Sequence, residues 1–365
     1  MESPPFPENS DTPPACSRGR RFRVLTGAAV VLGALGILIV LEAAARWVMP
    51  IPASPLDQAR HVITAAGLPA LADLFEPDDR LFWRLRPNLQ AVRVRGTLEG
   101  YPLDFTVSTD RCGRRITPRT EGQNIPTVWA LGDSATFGLG VEDEDTWPAW
   151  LHRTAAAHDQ PIQVFNYGTP GYTAWQGLRQ LELLLTTDTA PDVLVAGFWA
   201  NDQAVWAGRS DAETARWLAS RSFPGSWIHR LALFRLLEPV FPDPPVQADR
   251  PRLNAAEFTA CLDQMAHLCR EQHIVLALLV WPSRIQVLEH QRELHGYQRL
   301  VQNTAASSGC FLIDPAAAFM SRGTACFVDN YHGSALGCRL TGEVIWEWLS
   351  QILSSSMEKG KTPGR

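Results

Sequence analysis

The stretch TVWALGDSATFGLG, residues 127–140, decides how the rest of this chain is organised. It opens with the apolar run 128–131, whose length and flanking turn residues are typical of a strand buried on both faces. Gly132 ends the run, and Asp133 and Ser134 follow at once. A serine at this point is presented at the carboxyl edge of a sheet, where open α/β folds bind their ligands. Its hydroxyl is a weak nucleophile there unless a base takes its proton and donors hold the oxyanion.

Taken alone, the Gly-Asp-Ser sequence is also an ordinary strand-to-helix turn. The pattern of strand, loop and helix, however, repeats from residue 127 onward. Runs rich in Val, Ile, Leu or Phe, without the alternation of half-buried strands, occur at residues 127–131, 162–166, 192–198, 274–280 and 310–314. Candidate helices lie at residues 147–158, 174–187, 255–272, 285–307 and 336–353. This alternation predicts an α/β fold in three layers, with a five-stranded parallel sheet between helices.

An uncharged apolar run at residues 24–41 meets the length of about 18 residues that a membrane-spanning helix requires. Because four arginines directly precede it, the positive-inside rule places residues 1–23 in the cytoplasm and the later chain outside. We therefore expect a single-pass N-terminal transmembrane helix at residues 24–45, with the α/β domain in the periplasm or extracellular space. The alternative is a cleaved signal peptide, with the small residues 43–45 as its cleavage site, which would export the rest of the chain equally. A buried core helix fits poorly, because no face of the run is polar.

The expected division of the chain is a disordered cytoplasmic tail (1–23), the anchor (24–45), a linker with a small β accessory (46–126), the α/β domain (127–353) and a tail (354–365). Period-two alternation at residues 90–95 and 103–107 predicts a hairpin within the accessory. Residues 204–253, which contain tryptophans and a proline-rich stretch, interrupt the α/β pattern. We expect them to form a helical insertion over the strand edges that acts as a lid or substrate wall.

The composition limits the classes of function. A net charge of -5 and only 19% charged residues argue against a nucleic-acid binder, which normally presents a concentrated basic face. Neither a Cys-x-x-Cys pair nor a His-Glu-x-x-His segment suggests a metal, so we expect no metal and no cofactor. Six cysteines follow the anchor and would face an oxidising compartment, where either disulfides or buried free thiols are possible.

Four polar segments each come directly after a predicted strand. They are GDS at 132–134, NYGTPG at 166–171, GFWAND at 197–202 and DNYH at 329–332. In this order they resemble the four sequence blocks of the SGNH/GDSL hydrolase superfamily. The resemblance covers about residues 127–353 and extends to a membrane-anchored, exported subgroup whose first block reads GDS-x-T-x-G. Ala135 departs from the leucine of the name-giving motif, at a position that varies and does not touch the chemistry.

The resemblance assigns a role to each matching residue. It implies a flavodoxin-like strand order 2-1-3-4-5, in which Ser134 lies between the loops after the second and third strands. Ser134 would be the nucleophile, His332 its base, and Asp329 the group that holds the histidine tautomer. The oxyanion hole would be formed by the N–H groups of Ser134 and Gly168 and by the amide of Asn201.

The predicted function is that of an extracytoplasmic serine esterase, which cleaves an acyl or O-acetyl ester of a carbohydrate or lipid through a Ser134 acyl-enzyme. Two alternatives stay open: an acyl- or O-acetyltransferase that modifies an exported polysaccharide, and a non-catalytic binding module on the same fold. Trp175, Trp199 and Trp281 lie near the block ends and form either an aromatic wall for a sugar or acyl chain, or core packing. Cys326 and Cys338 bracket the Asp329–His332 segment, so we expect them to lie close enough for a bond that would restrain it.

Overall fold

The computed structural model describes residues 17–48, 60, 69–122, 124–206, 208–222 and 247–359. Half of the predicted insertion (residues 207 and 223–246) lies outside the described residues, as do residues 49–59 and 61–68 of the predicted linker and parts of both tails. The chain divides into two compact units, Met1–Pro52 with Ala219–Pro244, and Ala53–Leu218 with Pro245–Arg365.

The first unit contains the long helix α1 (Ser17–Val48). Its segment Leu25–Trp47 has 23 residues, a mean hydropathy of 2.4 and only 6% of its most apolar window buried. Aliphatic side chains such as Leu32 are exposed, which does not fit the buried core helix considered above. The segment is long and apolar enough to cross a membrane, a property that an export signal shares.

The second unit begins with a β accessory of two antiparallel strand pairs. Its elements are helix α2 (Pro69–Ala72) and strands β1 (Phe75–Asp78), β2 (Phe82–Leu85), β3 (Val92–Leu98) and β4 (Tyr101–Val107). The predicted hairpin is β3–β4, but its turn is shorter than the sequence suggested. Only Glu99 and Gly100 join the strands, both with positive φ (51° and 85°), as a two-residue turn of this kind requires.

A five-stranded parallel sheet forms the centre of the second unit. Its strands are β5 (Thr127–Gly132), β6 (Gln163–Gly168), β7 (Val193–Gly197), β8 (Val275–Leu279) and β9 (Phe311–Ile313). Their order is β6-β5-β7-β8-β9, so the predicted order 2-1-3-4-5 is confirmed. Strand β5 therefore lies between β6 and β7, and the loops after these three strands meet at one edge.

Helices cover both faces of the sheet. They are α3 (Ser134–Phe137), α4 (Trp147–Ala157), α5 (Ala174–Thr187), α6 (Asp211–Ser222), α7 (Ala255–Glu271), α8 (Arg284–Leu288), α9 (Gly296–Ser308), α10 (Ala316–Met320) and α11 (Ala335–Lys359). Successive residues of β5 belong to opposite apolar clusters, since Trp129 and Leu131 pack with α5 and α7 while Val128 and Ala130 pack with α4 and α11. The three-layer α/β fold is confirmed.

The single helix predicted at residues 285–307 is wrong, because the chain forms α8 and α9 instead. His290 has φ of 49°, a left-handed conformation that ends a helix. The intervening sequence EHQRELH also has only one apolar residue, Leu294, and so offers no apolar stripe to hold a helix on the sheet.

The β accessory packs on the sheet rather than standing apart from it. Phe75, Trp83 and Phe105 belong to the same apolar cluster as Trp129 of β5. The indole N–H of Trp83 also donates to the carbonyl of Pro170, in the loop after β6, at 3.2 Å. The accessory thus supports one of the loops at the carboxyl edge of the sheet.

The described cysteines are free thiols. Cys326 and Cys338 share an apolar cluster, but their sulfurs donate to the carbonyls of Phe319 and Gly333 at 3.8 and 3.9 Å. The expected bond between them is absent. Burial raises the pKa of the Cys338 thiol to about 12, which keeps it in the unreactive protonated form.

Candidate active site

Ser134 is held at the carboxyl edge of the sheet by a sharp turn. At Gly132, the last residue of β5, a Cβ would lie 2.2 Å from Thr136 Oγ1 and 2.7 Å from the carbonyl oxygen of Gly197, so only glycine fits. Asp133 then caps α3, its Oδ1 accepting the N–H of Ala135 at 2.9 Å. Ser134 is consequently the first residue of a one-turn helix, and it lines a cavity at this edge of the sheet.

His332 and Asp329 reach Ser134 from the segment before α11. The Asp329 Oδ1 atom accepts the N–H groups of Tyr331 at 2.8 Å and His332 at 2.7 Å, which shapes a tight turn. Its Oδ2 atom lies 2.6 Å from His332 Nδ1, and His332 Nε2 lies 2.7 Å from Ser134 Oγ. With the ring proton on Nδ1, Nε2 is free to accept the serine proton.

The electrostatics keep Asp329 ionised. Only 1% of Asp329 is exposed, and burial alone would raise the pKa of its carboxyl. The hydrogen bond and charge of His332 and the two backbone N–H groups outweigh burial, so its pKa lies below the ordinary value. A carboxylate in this place stabilises a protonated imidazole ring beside it.

Two other buried acids near the strand ends behave differently. Burial raises the pKa of Asp133 to about 6 and that of Asp202 to about 8, although each carboxyl accepts a backbone N–H. Neither carboxyl has a cation at hydrogen-bond distance, which explains why burial prevails. Both act as structural acceptors, Asp133 for Ala135 and Asp202 for Ala174.

Asn201 lies where the sequence placed it, beside Ser134 and His332 in the wall of one cavity. Its Nδ2 donates to the carbonyl of Tyr172 at 3.0 Å and to Asp133 Oδ2 at a longer 3.3 Å. The backbone N–H of Ser134 has no protein acceptor among the described residues. An oxyanion next to Ser134 would find donors in both groups.

Gly168 is not brought into this cavity. Its N–H donates to Asn166 Oδ1 at 2.9 Å, and a Cβ on it would lie 2.2 Å from the backbone nitrogen of Phe137. Glycine is needed at 168 for close packing of β6 against α3, and its N–H is already used.

Gly171, three residues later, has a backbone N–H with no acceptor among the described residues, although Gly171, like Gly168, is not one of the residues that line the cavity. Within residues 168–173, every other backbone N–H has a protein acceptor, and Pro170 has no N–H. The carbonyl of Gly171 accepts Arg252 Nη1 at 2.6 Å, which fixes the orientation of its residue. The sequence signal was the Pro170-Gly171 pair, since Pro-Gly marks a turn with positive φ at glycine, here 82°.

The cavity beside Ser134 has a volume of about 430 Å³. Two of the three tryptophans singled out from the sequence, Trp199 and Trp281, line it, whereas Trp175 instead stacks on Phe82 of the accessory at 5.4 Å. The tip of the β3–β4 hairpin also lines it, through Leu98 and Glu99. No pattern in the sequence predicted that the accessory reaches the site.

Arg115, on the segment between the accessory and β5, is a second feature that the sequence did not reveal. It is 1% exposed. Its guanidinium donates to the carbonyls of Thr106, Phe137, Gly138 and Val141 and to the carboxylate of Asp143, all at 2.6–2.9 Å. It therefore fixes the chain that leads away from Ser134. Among the described residues, no group of three or more His, Cys, Asp or Glu side chains is placed to hold a metal ion.

Comparison with known proteins identifies a family that this chain resembles. The family model described as GDSL-like lipase/acylhydrolase matches residues 130–340, more than half of the chain. An arylesterase of Vibrio mimicus is 36% identical over 72 residues, which are 20% of this chain and 36% of the arylesterase. This chain therefore matches only about a third of the length of that relative.

Similarity to solved structures is low in both sequence identity and TM-score. A lipase/acylhydrolase from Enterococcus faecalis shares 20% identity at a TM-score of 0.41, over 62% of this chain and 95% of that one. A variant of an acetyl-xylooligosaccharide esterase from Geobacillus Stearmophilus shares 18% identity at a TM-score of 0.39, over 61% and 93%.

Proposed function

Because this chain belongs to the GDSL-like lipase/acylhydrolase family, a family of ester-bond hydrolases, we propose that it cleaves an acyl or O-acetyl ester through an acyl-enzyme on Ser134. The observation that carries the proposal is the continuous pair of hydrogen bonds from Asp329 Oδ2 to His332 Nδ1 (2.6 Å) and from His332 Nε2 to Ser134 Oγ (2.7 Å). A non-catalytic binding module would not need this alignment.

In the first half of the reaction, His332 Nε2 takes the proton of Ser134 as Oγ attacks the ester carbonyl carbon. The resulting tetrahedral intermediate carries its negative charge on the former carbonyl oxygen. We assign three donors to that oxygen: the N–H groups of Ser134 and Gly171, and Nδ2 of Asn201. Gly168 is left out because its N–H is held by Asn166.

Asn201 reaches the oxyanion by giving up its weaker bond. At 3.3 Å, its contact with Asp133 Oδ2 is long for a hydrogen bond, so redirecting that proton to a developing charge loses little. The bond to Tyr172 holds the amide in place meanwhile. Such a donor acts mainly in the transition state, where the charge is largest.

In the second half, the imidazolium of His332 gives its proton to the leaving alkoxide, and the alcohol departs. A water molecule, deprotonated by His332, then attacks the acyl carbon and releases the carboxylic acid and free Ser134. The acyltransferase alternative shares every step up to the acyl-enzyme and differs only in the acceptor. Measuring product formation with water against a sugar acceptor separates the two.

A fluorophosphonate probe tests the proposal directly, because it phosphonylates only an activated serine. We expect mass spectrometry to find the label on the peptide containing Ser134, and Ser134→Ala to abolish it. Ser321→Ala, which removes an exposed serine hydroxyl far along the chain, is the control and should label fully. Equal labelling of the Ser134→Ala protein would refute the assignment of the nucleophile.

We further propose that Leu25–Trp47 anchors the protein with its catalytic unit outside the cytoplasm. The segment is apolar over 23 residues, and arginines precede it. A phosphatase reporter that functions only after export, fused after Leu353, should be active. Activity of a cytoplasm-only reporter at the same position would reverse the topology, and a native protein that is soluble without detergent would point to a cleaved signal.

A further inference from the structure

A second cavity, of about 480 Å³, adjoins the cavity of Ser134. Trp199, Tyr331, Gln203 and Glu99 line both cavities. The second cavity continues toward α8 and the start of α9, where it has no part in the bonds of Ser134, His332 and Asp329. We call it the adjoining cavity.

The amide side chain of Gln286, in the wall of the adjoining cavity, has a donor without an acceptor among the described residues. Gln286 is 3% exposed, and its Oε1 accepts the N–H of Ser283 at 3.3 Å and Nε2 of Gln298 at 3.0 Å. Its Nε2 is buried and has no hydrogen-bond partner among the residues that the structure describes. A buried donor without an acceptor is unfavourable, so its position on a cavity wall indicates an acceptor that arrives with a ligand.

The chemistry of the walls defines the class of that ligand. Five of the polar lining side chains are neutral amides, and no lysine or arginine is among the described lining residues. The wall also carries the carboxylate of Glu99, which accepts Asn330 Nδ2 at 2.7 Å. A phosphate or carboxylate would therefore meet a negative charge, with the imidazole of His295 as the one basic side chain among the described lining residues. An acyl chain would leave the amides unpaired.

Aromatic side chains complete the pattern. Trp199 and Tyr331 meet edge to face, with ring centroids 6.0 Å apart, and Tyr331 is 39% exposed. Flat apolar rings next to amide donors and acceptors suit a neutral sugar, whose C–H faces pack on the rings while its hydroxyls pair with amides.

The position of the adjoining cavity matches one end of the ester. His332 must protonate the leaving oxygen, so the alcohol part of the ester lies on the His332 side of the reacting carbon, whereas Asn201 lies on the oxyanion side. Tyr331 directly precedes His332 and lines both cavities. The alcohol part is thus directed toward Tyr331 and the space beyond it.

We propose that the adjoining cavity binds a neutral sugar residue on the alcohol side of the ester, with Gln286 Nε2 donating to one of its oxygens. The substrate class is then an O-acylated neutral oligosaccharide or polysaccharide. This inference rests on the proposed ester hydrolysis at Ser134.

The decisive variant is Gln286→Glu. It keeps an oxygen for Ser283 and Gln298 but replaces the unpaired donor with an acceptor. The measured quantity is the ratio of kcat/KM for partially acetylated cellotriose to that for nitrophenyl acetate. We expect this ratio to fall about tenfold or more, the effect of one hydrogen bond in a binding site. Gln160→Glu, which adds the same charge at an exposed position outside both cavities, should leave it unchanged.

A ratio that Gln286→Glu does not change would overturn the proposal. So would a matching fall in the ratio of nitrophenyl palmitate to nitrophenyl acetate, since it would assign the cavity to an acyl chain. Binding can be tested without turnover, by titrating cellotriose, maltotriose and chitotriose into full-length Ser134→Ala protein in a calorimeter.

We expect at least one trisaccharide to bind, and adding Gln286→Glu to weaken it about tenfold. Binding of none would refute the sugar site. This arm does not depend on Ser134 chemistry, so if Ser134→Ala keeps its nitrophenyl acetate turnover, the proposed hydrolysis fails while the sugar site is still judged by the titration.

Discussion

Replacing Arg115 with methionine tests whether its guanidinium holds in place the chain that leads away from Ser134. Methionine keeps an unbranched apolar stem, although a shorter one, and removes every donor. Four backbone carbonyls and the Asp143 carboxylate lose a partner. Two of the carbonyls keep another donor, because Phe137 O also accepts Asn166 Nδ2 and Gly138 O also accepts the N–H of Val141.

The expected change in the free energy of unfolding follows from the acceptors that lose their partner. The carbonyls of Thr106 and Val141 each lose a buried hydrogen bond, at about 1–3 kcal/mol apiece. Asp143, 12% exposed at its side chain, loses its ion-pair partner, and breaking a buried pair typically costs about 3–5 kcal/mol. Relief from burying the guanidinium offsets part of this. We expect a net loss of about 3–5 kcal/mol, which lowers Tm by roughly 10 °C in a unit of this size.

The assay is thermal unfolding of the full-length protein, followed by kcat at a temperature where both proteins are folded. Arg93→Met is the matched control, because Arg93 lies on the nearby β3–β4 hairpin and pairs with Asp104 in an exposed position at 2.7 Å. We expect it to change Tm little. Arg115→Lys should be intermediate, since an ammonium keeps the charge but not the planar set of donors. Equal Tm values for Arg115→Met and Arg93→Met would refute the reasoning.

Three further substitutions test other parts of the site. Asn201→Ala should lower kcat about 10²–10³-fold with little change in KM, the usual result of losing one oxyanion donor; an effect on KM alone would make Asn201 a substrate-binding residue. Gly168→Ala should give little folded protein on expression, because a Cβ there meets the Phe137 backbone at 2.2 Å. Gly171→Ala meets only the Trp83 ring, at 3.1 Å, but its φ of 82° favours glycine, so we expect a folded protein whose strained turn displaces the Gly171 N–H and lowers kcat; the opposite pattern would favour Gly168 as the donor. Because the pKa of Asp202 is raised to about 8, the folded protein holds this proton while the unfolded chain releases it near pH 4. The free energy of unfolding should therefore fall as pH rises from about 4 to 8, and Asp202→Asn should flatten that fall in denaturant titrations; an unchanged slope would exclude Asp202 as its source.

The sheet could be predicted from the sequence because each of its strands is a short apolar run with no polar face. Strand β5, for example, begins at the predicted residue and ends one residue later. The three residues Ser134, Asp329 and His332 could be predicted because each lies in a block with a distinctive local sequence. Both kinds of signal are local, which is why reading along the chain finds them.

The missed features depend on contacts between distant segments. Arg115 gave no signal, because its acceptors are backbone carbonyls, and any sequence supplies those. Glu99 lines the cavity because the pairing register of β3 and β4 places it at the tip of the hairpin. The break at His290 is an error of local conformation, decided by its positive φ. Which glycine can donate to the oxyanion depends on which N–H groups are already used, and a reading along the chain does not reveal that.

The bond between His332 and Ser134 joins residues that are 198 positions apart. A ribosome working from the N-terminus releases Ser134 and all the strands of the sheet before it reaches His332. On the proposed mechanism, Ser134 is therefore in place on a sheet whose strands are complete before the base that would activate it has been synthesised. On that mechanism, the unfinished chain has no activity toward esters, and activity begins only when the segment that contains His332 has been added and has docked.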